Sequence, residues 1–512
     1  MNLIKICKMS AKYIITLLLL SMTATAQKTV NSLKAPRVRV EQGTLEGIML
    51  KSGIHNYRGI PYAVPPVGEQ RWKEPQAAAK WEGIRKADIF GDKPMQKPIY
   101  GDMNLRSSKM SEDCLYLNVW APAKSKNKKL PVLVYFYGGG FMAGDGSEFR
   151  YDGESLAKQD IITVTVNYRL GIFGFFAHPD LTQESPNHAS GNYGLLDQNA
   201  ALEWVKRNIA AFGGDPDKIT IAGESAGSIS VSAHMASPLS KNLIAGAIGQ
   251  SGAMIHPTQT PVPLEEAQQR GLSFAHKVKA LTIGNLRKIS AEQLLDEASV
   301  AGAFITRATV DGYFLPQTPQ KIFEAGQQAK VPLLAGWTSA ELPYVTFMEG
   351  KYPSPENFKQ RVEVMFADDT EEALRLYPSA SQQEIIASAT ALAADRFIVY
   401  STWKWAELHR QVLRQPVYVY IFGKQRPPAK AGEKNDTSLP PPLKGANHAS
   451  DIEYALGNLS TNEVYEWTEE DYKVSQQMIN YFANFIKKGD PNGEVLQQWP
   501  ANWAGESMNI MH

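Results

Sequence analysis

A serine flanked by glycines, a run of three glycines and a late histidine are the residues of this chain best suited to covalent chemistry. Gly223-Glu224-Ser225-Ala226-Gly227 follows the apolar run Ile219-Thr220-Ile221-Ala222 and precedes the small residues 228–233, which can begin a helix. A strand-to-helix turn of this kind, a nucleophile elbow, lifts the serine hydroxyl clear of a sheet. Its glycines let strand and helix approach without a Cβ clash. Tyr137-Gly138-Gly139-Gly140-Phe141 ends another β-branched run. The bare N–H groups of these successive glycines, with that of Ala226, are suited to hold the oxyanion of an acyl-transfer intermediate. The chemistry indicated is attack of Ser225 on a carbonyl carbon.

A serine hydroxyl is a poor nucleophile near neutral pH. A base has to take its proton, and a third group has to hold that base in one tautomer. Behind an elbow the acid and then the histidine follow in the chain, with the base on a late loop. This leaves His256, His276, His409, His448 and His512. His409 shares a helical pattern with Trp403, Trp405 and Leu408 and reads as a helix-surface residue. His448, in Gly445-Ala446-Asn447-His448-Ala449-Ser450, lies in a loop after the strand pattern 417–422 and is the best placed. Glu341, in Gly336-Trp337-Thr338-Ser339-Ala340-Glu341, follows the strand pattern 331–335 and is favoured as the acid. Asp395 is the rival, but it heads the helical run toward Trp403. Asp451 stands too close to His448 in sequence to be a first choice.

These groups need a scaffold. Short β-branched runs recur at 131–137, 161–168, 218–222, 244–248, 331–335 and 417–422. Between them lie helical patterns such as 199–212, where Ala201, Trp204, Val205, Asn208 and Ile209 repeat near the 3.6 period. Strands alternating with helices predict a central, mostly parallel, doubly wound sheet with helices on both faces. Ligands of such sheets collect at the carboxyl ends of strands, where each motif above is placed. The Pro-, Lys- and Gly-rich residues 426–442 read as a surface loop. No linker separates two folding units, so 27–512 reads as one domain.

Lys plus Arg number 53 against 52 for Asp plus Glu, with no basic run to track a phosphate backbone, so nucleic acid is not an expected partner. No metal-ligand spacing and no phosphate loop is present, and the chemistry is expected to need no metal or cofactor. Lys5, Lys8 and Lys12 precede an apolar stretch, 13–22, and a small-residue site, Ala24-Thr25-Ala26. Residues 1–26 therefore read as a signal peptide, too short in its apolar part to span a bilayer. The expected product is an exported protein starting near Gln27, secreted or periplasmic, without stable membrane insertion. Its cleavage removes Cys7 and leaves Cys114, of two cysteines in all, so no internal disulfide is expected.

The motifs together resemble the type-B carboxylesterases. Phe212-Gly213-Gly214-Asp215-Pro216 through Gly227 is similar to that family's serine signature, and Glu112-Asp113-Cys114-Leu115-Tyr116-Leu117-Asn118-Val119 to its second signature. Gly59-Ile60-Pro61-Tyr62-Ala63, Asn167-Tyr168-Arg169-Leu170-Gly171 and Gly191-Asn192-Tyr193-Gly194-Leu195-Leu196-Asp197-Gln198 follow in order. The resemblance implies the α/β-hydrolase fold, a Ser225, Glu341, His448 triad and an oxyanion hole of Gly139, Gly140 and Ala226. The expected activity is hydrolysis of small to medium carboxylic esters through an acyl-enzyme. A lipase or thioesterase of the same fold, or a catalytically silent binding relative, are the alternatives, the last opposed by the intact triad. Three departures stand out: Tyr137 replaces the family's usual His, no cysteine near residues 90–94 matches Cys114, and residues 94–113 hold no Trp, which disfavours a cholinesterase.

Overall fold

The computed structural model describes residues 35–512 apart from 126, 301–303 and 431–443. The leader read in residues 1–26 and most of the loop 426–442 lie outside the described residues. Ten strands pair into one sheet: β1 (Ile48–Met49), β2 (Ile54–Pro61), β3 (Tyr116–Pro122), β4 (Leu130–Phe136), β5 (Ile162–Val166), β6 (Gly214–Glu224), β7 (Gly246–Gln250), β8 (Leu333–Thr338), β9 (Val417–Phe422) and β10 (Ile510–Met511). In space they run β10-β9-β8-β7-β6-β4-β5-β3-β2-β1. The pairs from β5 through β4 to β10 are parallel, and those joining β5, β3, β2 and β1 are antiparallel. Every run read as a strand in the sequence belongs to this sheet.

The parallel strands read as continuous apolar runs because both of their faces are covered. Along β4, Val132, Val134 and Phe136 enter one core while Leu133 and Tyr135 enter the other. The first core is closed by Trp204 and Val205 of α1 (Tyr193–Asn208) and by Trp405 of α3 (Tyr400–Leu413). The second is closed by Phe482 and Phe485 of α4 (Glu469–Lys488). The elbow helix, α2 (Ala226–Ala236), is buried along its whole length, and its residues other than His234 are accordingly small or apolar.

The chain passes from β4 to β5 on one side and then returns to β6 on the other side of β4. At such a switch point the loops leaving two adjacent strands diverge and open a crevice at their carboxyl ends. The glycine loop leaves β4 there and Ser225 leaves β6 there. Residues Arg37–His512 form one compact unit.

Candidate active site

Ser225 holds φ 53° and ψ −119° between β6 and α2, a conformation unfavourable for a residue with a Cβ. Its backbone N–H donates to the Gln250 carbonyl at 2.9 Å, tying the turn to β7. The flanking glycines are required by space. A Cβ on Gly227 would stand 2.0 Å from the Phe136 carbonyl oxygen, and one on Gly223 2.5 Å from the Gly227 carbonyl carbon. Gly227→Ala is therefore expected to push β4 and α2 apart and cost roughly 1–3 kcal/mol. A urea midpoint equal to that of the unaltered chain would contradict this.

The glycine loop lies directly on the elbow. A Cβ on Gly138 would meet the Glu224 Oε2 at 2.5 Å and the Ser225 Cβ at 3.2 Å. Gly139 and Gly140 both have positive φ, 106° and 63°. Among the described residues neither of their N–H groups has a partner. Ala226 opens α2, so its N–H is one of the helix's unpaired first donors. Three free N–H groups thus surround the serine.

Glu341 and His448 come together from loops after β8 and β9. The imidazole Nδ1 lies 2.5 Å from Glu341 Oε2. The other carboxylate oxygen, Oε1, accepts from the Ser251 hydroxyl at 2.6 Å and from the Thr338 N–H at 2.8 Å. The acid is thus fully buried and held at both oxygens. The Phe397 ring stands edge-on to the imidazole at 5.1 Å. It sits on a π-turn, Asp395–Val399, just before α3. The freed Phe397 carbonyl accepts from the Thr258 hydroxyl at 2.7 Å.

His448 and Ser225 line a single cavity of about 970 Å³, with Gly139, Gly140 and Ala226 on its wall. Apolar Phe141, Ile229, Leu342, Phe397 and Ile398 share the remaining lining with charged Asp102, Arg150, Lys424 and Arg426.

Glu224, the buried residue before the serine, faces the same imidazole. Its Oε1 lies 3.2 Å from His448 Nε2, close enough for charge to act but without hydrogen-bond alignment. Burial pushes the Glu224 carboxyl up to about 8, against the charge of His448. Burial acts to lower the His448 pKa, but Glu224 and Glu341 outweigh it and push it up to about 9. The Glu224–His448 pair therefore keeps a proton into the alkaline range. With His448 acting as the base, its neutral form would be the competent one, and kcat/KM is then expected still to be rising above pH 7. Glu224→Gln removes one of the two carboxylates acting on the ring, and the rising limb should move to lower pH by roughly one unit. A limb that stays in place in the pH profile would refute the coupling.

Ser225, Glu341, His448, Gly139, Gly140 and Ala226 all line this one cavity. His409 is a correction: it is fully buried, with Nε2 2.8 Å from the Val331 carbonyl, and belongs to the packing of α3 on β8 rather than to the helix surface. Its helix packs Trp405 into the same core, so the periodicity was right and the face assigned to His409 was wrong. Asp395 accepts from the Tyr377 hydroxyl at 2.7 Å, away from the imidazole. Asp451 is buried beneath the site and accepts from the Tyr420 hydroxyl and Gln250 amide. Sequence reasoning missed Ser251, although its place one residue beyond β7 was the available signal.

A sheet of this order with an elbow at the end of β6 defines an α/β-hydrolase. The profile described as Carboxylesterase family matches residues 34–512. The chain belongs to that family and is a carboxylic-ester hydrolase. It is 35% identical over 483 residues to the para-nitrobenzyl esterase of Bacillus subtilis (strain 168), covering 91% of this chain and 92% of that protein. To the fumonisin B1 esterase of Sphingopyxis macrogoltabida it is 31% identical, over 90% of this chain and 83% of that one. A solved structure of PNB esterase aligns with a TM-score of 0.76 at 32% identity, covering 91% of this chain and 93% of that one.

Proposed function

We propose that the protein is an exported serine esterase that cleaves small to medium carboxylic esters through an acyl-enzyme. The observation that carries this reading is the 2.5 Å contact of Glu341 with His448 in the cavity that also holds Ser225. His448 Nε2 takes the Ser225 proton as Oγ bonds to the ester carbonyl carbon, and Gly139, Gly140 and Ala226 N–H groups hold the resulting oxyanion. Collapse breaks the bond to the alkoxide, which leaves with the proton from His448. Water then repeats the sequence on the acyl-serine, its proton passing to His448 and back to Ser225 as the acid departs. The Glu341 carboxylate fixes Nδ1 as the protonated nitrogen throughout.

The size of the cavity and the apolar part of its lining suit acyl and alcohol parts of modest length. The test is hydrolysis of p-nitrophenyl acetate and butyrate by the purified chain. An initial burst approaching one nitrophenol per chain is expected if deacylation limits turnover. A well-folded chain that hydrolyses neither ester would overturn the proposal. Export rests on the leader at residues 1–26, and protein recovered outside the cytoplasm should begin near Gln27. An intact leader on cytoplasmic protein would refute that part.

A further inference from the structure

The reaction above leaves Tyr100 without a role, although its phenol stands against the oxyanion loop. A methyl group built on Gly140 would meet the Tyr100 hydroxyl oxygen at 3.0 Å. Tyr100 lines the cavity together with Gly139, Gly140, Ser225, Ala226 and His448. Met103, three residues on, covers Gly139, its terminal methyl 2.8 Å from where a Cβ would stand. The segment carrying both side chains thus lies against the glycine loop and lines the same cavity.

Among the described residues the Tyr100 hydroxyl has no hydrogen-bond partner. Burial first, and the nearby Glu224 and Asp102 carboxylates second, raise its pKa. Both effects favour the protonated phenol, which can donate. An O–H donor strengthens its bond most when its acceptor carries charge, and the ester carbonyl oxygen, held against the glycine loop that Tyr100 touches, becomes such an acceptor as the tetrahedral intermediate forms.

We propose that Tyr100 is a further catalytic residue, its phenol donating a hydrogen bond to the carbonyl oxygen as that atom becomes the oxyanion, beside the N–H groups of Gly139, Gly140 and Ala226. The phenol keeps its proton. The charge returns to the carbonyl when the tetrahedral intermediate collapses, and the bond weakens again. The inference rests on the reading of Ser225 as the nucleophile.

Tyr100 is 42% exposed, so Tyr100→Phe removes one oxygen without disturbing a core. The experiment compares this variant with the unaltered full chain in three assays. These are turnover of p-nitrophenyl butyrate, inhibition by an alkyl trifluoromethyl ketone that adds to the serine as a charged hemiketal, and inhibition by butyl nitrophenyl ether, an uncharged mimic of the bound ester. The variant should lose about tenfold in kcat/KM, the worth of one ordinary hydrogen bond, chiefly in kcat. The ketone should bind more weakly by the same factor, and the ether unchanged. A variant with wild-type turnover and ketone affinity would overturn the proposal and leave the serine reading intact. So would equal weakening of ketone and ether, which marks a contact made in the ground state. An unaltered chain that neither turns over the ester nor binds the ketone would refute the serine reading and this inference with it.

Discussion

Replacing Ser225 with alanine is expected to lower ester turnover by about 10⁶-fold. The change deletes one oxygen from a residue whose backbone is already held at φ 53° by the turn and by its N–H bond to Gln250. Alanine leaves these constraints in place, so the fold and the cavity persist. The remaining rate reflects the three N–H donors and substrate binding alone, since the base has no hydroxyl to activate. Hydrolysis of p-nitrophenyl butyrate, measured beside a urea unfolding curve, tests this. Activity within a hundredfold of the unaltered chain, with the unfolding curve unchanged, would place the nucleophile elsewhere.

Glu341→Gln is expected to cost about 10⁴-fold in kcat, the scale on which a wrong imidazole tautomer acts. The argument comes from the two donors on Oε1. Ser251 Oγ and Thr338 N–H both point at that oxygen, so a glutamine must place its carbonyl oxygen there. Its NH₂ then occupies the Oε2 position and donates to His448 Nδ1. The ring is forced to carry its proton on Nε2, the nitrogen that must accept from serine. Ser251→Ala in the same background loosens this orientation and should restore part of the rate, because the amide is then freer to turn. A Glu341→Gln chain with kcat within tenfold of wild type would mean that the acid does not set the tautomer.

Much of this site was legible because its parts are local. The elbow, the glycine run and the loops after β8 and β9 each declare themselves within a few residues, through small side chains and strand ends. Periodicity separated strands from helices well: β9 spans 417–422 as read, and β6 begins four residues before the run read at 218–222 because its first residues are polar, Gly or Pro. What could not be read is what depends on distant pairings. The face on which His409 lies is decided by β8, far earlier in the chain. Ser251 acquires meaning only when Glu341 arrives from β8. Glu224 stood inside the motif, yet its contact with His448 depends on the loop after β9. Tyr100 reaches Gly140 through a segment without regular structure, for which no periodic signal exists.

The placement of Ser225, Glu341 and His448 after three different strands has a bearing on how such a protein can change. Long stretches of chain lie between Ser225, Glu341 and His448, and one of them carries the π-turn that brings Phe397 to the cavity. Insertions or rearrangements there can alter which esters fit while the strand ends keep the reacting groups in register. Substrate range and bond-breaking power are thereby separable properties, open to selection one at a time.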